Sequence, residues 1–90
     1  MAAEDSSAVG SFSDALLAVA AERMTDREAR VLRRRLERNG PLTRIVARRV
    51  LKEYVDQGGD PTNVIAILQW LLDNWAAVYE IIKAILALFS

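Results

Sequence analysis

The sequence predicts an all-α fold: a small four-helix domain in which three short amphipathic helices pack on a long apolar C-terminal helix. Three observations carry this. Residues 64–89 read VIAILQWLLDNWAAVYEIIKAILALF, with neither Gly nor Pro and no strand-like alternation, over a length far beyond an ordinary strand. The rest of the chain is punctuated at short intervals by helix starts and stops: Thr25-Asp26-Arg27-Glu28, Asn39-Gly40-Pro41, Gln57-Gly58-Gly59 and Asp60-Pro61. Between these marks, apolar residues recur every three or four positions.

In chain order, residues 1–11 (MAAEDSSAVGS) are small, polar and acidic, and predict a disordered lead-in to a single helical domain over residues 12–90. They hold no basic segment followed by an apolar run, so no secretory signal is apparent and a cytoplasmic location is the default. Ser13 can cap a first helix, about 14–23, with Asp14 in its first turn and Leu16, Leu17 and Val19 as its apolar residues, joined by Phe12. Thr25 with Glu28 forms a capping-box pattern for a second helix, about 26–38, which Asn39-Gly40-Pro41 stops. Its apolar stripe is thin: Ala29, Leu32 and Leu36, with Val31 beside them. The third helix, about 42–56, carries Leu42, Ile45, Val46, Val50, Tyr54 and Val55 and ends at Gln57-Gly58-Gly59. Asp60 as cap and Pro61 at the first helical position open a fourth helix over about 61–89, on the order of 40 Å long at 1.5 Å per residue.

That last helix has an unusual face. Ala66, Gln69, Asp73, Ala76, Glu80, Lys83, Ala87 and Ser90 form one narrow small or polar stripe, and nearly everything else is large and apolar. A helix apolar over most of its circumference is buried in a bundle, an oligomer interface or a bilayer. Insertion as a lone helix is near break-even. Asp73, Glu80 and Lys83 cost roughly 2.5–3.5 kcal/mol each near the membrane centre, while each Leu, Ile, Val or Phe returns about 0.3–0.6 kcal/mol. Trp70 and Trp75 lie inside the stretch rather than at its ends, where a membrane's aromatic belt would hold them. The balance favours burial by protein, with Leu68, Trp70, Leu71, Trp75, Val78, Ile82 and Leu86 as the core and interface anchors.

Charge is segregated. The chain has 12 basic and 12 acidic residues and a net charge of zero, yet nearly all the bases fall in residues 23–52. Arg27, Arg30, Arg34 and Arg38 step along the second helix, and Arg44, Arg48 and Lys52, with Arg49 alongside, step along the third. These eight residues are a candidate basic patch, an electrostatic footprint for phosphate or for an acidic partner. The same stripes also suit two solvated helix faces laced by Asp26–Arg30, Arg33–Glu37 and Arg49–Glu53 pairs.

Leu36-Glu37-Arg38-Asn39-Gly40-Pro41-Leu42-Thr43, followed by Arg44-Ile45-Val46-Ala47-Arg48-Arg49, resembles the opening of winged-helix and related helix-turn-helix regulators. The resemblance implies a second turn soon afterwards and a recognition helix for the major groove. The chain departs from that pattern at the decisive element. The third helix runs on through Val50-Leu51-Lys52-Glu53-Tyr54-Val55, and the helix after it is apolar and acidic.

With no His and no Cys, the commonest general base and the usual metal ligands are missing, so the residues predict no cofactor, no metal and no enzymatic activity. The expected function is a small non-enzymatic interaction or assembly protein that forms a homo-oligomer or binds a protein partner through the apolar C-terminal helix. Two alternatives stay open: a membrane-associated, holin-like oligomer that uses residues 64–89 as a membrane helix among anionic lipids, and a nucleic-acid-binding accessory protein that uses residues 26–52.

Overall fold

The computed structural model describes residues 2–89, with side-chain burial from residue 8 onward. It is all-helical, with α1 Ala2–Arg23, α2 Asp26–Arg38, α3 Gly40–Asp56, α4 Val64–Asp73 and α5 Trp75–Leu88.

α1 is much longer than the helix predicted from residue 14, and it takes in residues 2–11 of the expected lead-in; Met1 lies outside the described residues. The physical reason is a stripe that Gly10, Ser11 and Ser13 obscure. Val9, Phe12, Leu16, Val19 and Ala20 follow helical spacing and are all buried, Phe12 completely. Ser13 is therefore not a cap but a buried mid-helix residue.

α2 begins and ends where predicted. Thr25 Oγ1 accepts from Glu28 N–H at 3.2 Å, and Glu28 Oε1 accepts from Thr25 N–H at 3.2 Å, closing the capping box. Only Asn39 separates α2 from α3, so Pro41 falls in the first turn of α3, where its missing N–H costs nothing.

α3 touches α1, α2 and α5, and buries Leu42, Val46, Ala47, Val50 and Tyr54. It ends in a Schellman motif: Gly59 N–H donates to Tyr54 O and Gly58 N–H to Val55 O, both at 2.9 Å, with Gly58 at φ +91°. Tyr54 knots this corner. Its hydroxyl donates to Asp60 O at 2.8 Å, and its ring meets Trp70 edge-on at 5.4 Å and Phe12 at 6.2 Å. A Cβ on Gly59 would collide with that ring.

The predicted cap at Asp60 is replaced by a tighter arrangement. Asp60 Oδ1 accepts from Thr62 N–H at 2.9 Å and from Thr62 O–H at 2.7 Å, forming an Asx turn through Pro61. Asn63 caps α4 instead, its side chain accepting from Ala66 N–H at 3.0 Å.

The helix expected over 61–89 is two helices. Asn74, at φ −111° and ψ 20°, ends α4 and starts α5, and its side-chain amide donates to Trp70 O at 2.9 Å. The break lets the halves choose different partners: α4 lies on α1, while α5 lies on α3. One straight helix of roughly 40 Å would overrun the largest dimension of the molecule, 31 Å. Among the described residues no helix is long and apolar enough to cross a membrane. α4 has 10 residues and α5 has 14, against the ~20 that a spanning helix needs.

Candidate interaction surfaces

The seven predicted anchors divide by burial. Leu71, Val78, Ile82 and Leu86 are buried in the chain's own core, each burial contributing about 1.5–3 kcal/mol. Leu68, Trp70 and Trp75 sit half-buried at its edge. Trp70 is held structurally, with its indole N–H donating to Gln57 Oε1 at 3.0 Å while its ring packs on Tyr54.

On α4 the inward residues are Ile67 and Leu71. Ile65, Leu68 and Leu72 fall together on one flank at steps of three and four, and Val64 adjoins them. Ile65 is 71% and Val64 54% exposed, Leu68 and Leu72 are half-buried, and the flank holds no charged residue. Trp75 continues the same spacing just past the Asn74 break.

All eight residues of the predicted basic patch are exposed, but the fold does not gather them in one hollow. Arg27, Arg30 and Arg34 surround Val31 in a surface hollow of about 320 Å³. Arg38 lies with Arg35 and Phe89 near the α2–α3 turn, and Arg48 and Lys52 line a separate hollow with Ala8 and Val9. Arg44 and Arg49 line neither, and Arg49 pairs with Glu53 at 3.6 Å, as expected. Among the described residues no ion pair joins Asp26 to Arg30 or Arg33 to Glu37; Lys52–Asp56 forms instead at 3.8 Å. Exposed pairs of this kind contribute little stability.

A groove of about 400 Å³ lies between α2 and α5. Its apolar surface comes from Met24, Val31, Leu32 and Leu86, with the Tyr79 ring on the α5 side. Arg27, Arg35 and Lys83 supply positive charge, and Glu28 is the acid among its lining residues. Three of these charges are already engaged. Glu28 Oε1 serves the Thr25 cap, Arg35 donates to Leu86 O at 3.4 Å, and Lys83 pairs with Glu80 at 3.0 Å while its Nζ stands 4.9 Å above the Tyr79 ring. Tyr79 in turn stacks on Trp75, 6.1 Å between centroids at 19°. Val31 belongs to both this groove and the hollow beside it, so Arg27, Arg30, Arg34 and Arg35 ring one exposed apolar side chain. Arg35 and Tyr79 had not stood out in the sequence. The available signal was Val31 itself, an apolar residue in an otherwise arginine-rich turn.

Compared with protein-family models, curated proteins and solved structures, the chain matches none.

Proposed function

We propose that the protein is a small non-enzymatic assembly module that self-associates through the outer flank of α4. The observation that carries this is the uncharged strip Ile65, Leu68 and Leu72 with Val64 beside it, headed by an isoleucine that is 71% exposed. Its three-four spacing is that of a helix seam which packs against another helix. In water such a strip gains about 25 cal/mol for each Å² it removes from solvent, and a second copy offers a matching surface. The zero net charge leaves copies with no overall mutual repulsion.

Light scattering on purified protein over a concentration series tests the reading. The wild type is expected above monomer mass, and Ile65→Glu with Leu72→Glu is expected to return it to monomer with an unchanged far-ultraviolet helix signal. A wild type that stays monomeric throughout, or a double variant that keeps the wild-type mass, overturns it.

A further inference from the structure

We infer that the groove between α2 and α5 binds an acidic amphipathic helix from a protein partner, with Val31 at the centre of the contact. This does not depend on self-association through α4, because the residues that form the two surfaces are different.

The chemistry is specific to such an occupant. Val31 is 53% exposed, although the other large aliphatic residues of α2, Leu32 and Leu36, are buried. It is surrounded by Arg27, Arg30, Arg34 and Arg35, and its floor extends through the groove to Tyr79. A ligand must therefore offer apolar side chains to the floor and anions to the edges at the same time. A helix does so when leucine-like residues recur at i, i+3, i+4 and i+7 and carboxylates flank them. The charge balance supports this occupant. α2 carries Arg27, Arg30, Arg33, Arg34, Arg35 and Arg38 against Asp26, Glu28 and Glu37, so its edge keeps an excess of positive charge. Duplex nucleic acid would meet the arginines with phosphate but bring nothing apolar to Val31. A flat lipid surface would not follow a concave groove. Rim charges of this kind steer the encounter and fix its register, while the buried apolar row supplies the affinity.

The test uses the full chain and a fluorescein-labelled synthetic helical peptide with Leu along one stripe and Glu on both flanks, followed by fluorescence anisotropy. Binding should weaken as salt rises. It should fall on the order of tenfold or more in Arg27→Glu with Arg34→Glu, since each reversal replaces attraction with repulsion. Arg44→Glu, on the α3 stripe, should leave binding unchanged, and circular dichroism checks that all variants fold. Amide chemical shifts on titration should move at Val31 and Tyr79, and the same peptide with Lys in place of Glu should not bind.

Four results overturn the inference. These are no binding of the Glu peptide, binding indifferent to the α2 reversals, shifts confined to the α4 flank, or a preference for duplex DNA or phosphatidylserine vesicles over the peptide. If the double variant is unfolded, Val31→Ser, which leaves every charge in place, must itself lower the affinity, and failure to do so counts against the proposal.

Discussion

Tyr54 is the side chain whose loss the structure makes most measurable. It is 2% exposed, its hydroxyl donates to Asp60 O at 2.8 Å, and its ring touches Phe12 of α1 and Trp70 of α4. It therefore ties three helices to the α3–α4 turn. Tyr54→Phe removes one hydrogen bond and leaves the Asp60 carbonyl in an exposed turn where water can take the place of the phenol, so the cost is about 1 kcal/mol. For a chain of this size that lowers Tm by about 4–8 °C. Tyr54→Ala also removes the ring and leaves a cavity between α1 and α4, which costs about 3–5 kcal/mol, as for other large aromatics. Set against a total stability of about 5–15 kcal/mol, this substitution alone brings the fold near its limit. Thermal and urea denaturation followed by circular dichroism give the two values. In a Trp75→Phe background the Trp70 emission gives a local check, with a red shift expected for Tyr54→Ala and little change for Tyr54→Phe. If Tyr54→Ala costs no more than Tyr54→Phe, the ring is not the knot described here and the packing of α1 against α4 across it is wrong.

Other outcomes follow from the same geometry. Leu71→Ala, at a fully buried position, should cost about 2–5 kcal/mol. Ile65→Ala, at a position 71% exposed, should change monomer stability by under about 0.5 kcal/mol, and the pair of urea midpoints measures the contrast. Thr25→Ala removes the acceptor for Glu28 N–H and should cost about 1 kcal/mol, recovered in part by Thr25→Ser, again read from urea midpoints. The two bonds from Thr62 hold the Asp60 carboxyl below its ordinary value. Because the folded state prefers the ionised form, that contribution is present above the ordinary aspartate value and is lost as pH falls from there through the lower value of the folded state. Asp60→Asn keeps an acceptor for Thr62 but does not titrate, so its Tm should fall less steeply on acidification than that of the wild type; parallel profiles refute this.

Some of the candidate surfaces could be read directly from the chain and some could not. The arginine steps on α2 and α3 were legible because i, i+3 and i+4 spacing places residues on one face wherever a helix forms. Their failure to converge was not legible, since it depends on how α2 and α3 are turned relative to α1 and α5. The apolar anchors show the same division. Leu71, Val78, Ile82 and Leu86 share the hydrophobic character of Ile65 and Leu72, and only the partners chosen by α4 and α5 separate core from surface.

By itself the sequence determined the features that local chemistry controls. These are the all-α class, the capping box that starts α2, the break between α2 and α3 at Asn39 and the Gly-Gly stop after α3. The capping motifs among them depend on backbone groups within a few residues of one another, which is why spacing reveals them, although packing moved the starts expected at Ser13 and Asp60. Tertiary structure decided the rest. α1 reaches back through Gly10 and Ser11 because Val9 and Phe12 find a core to enter, which outweighs the poor helix propensity around them. The apolar stretch breaks at Asn74, and the two short helices pack chiefly on different partners, α4 on α1 and α5 on α3. Burial of apolar area, summed over partners distant in sequence, determined both outcomes.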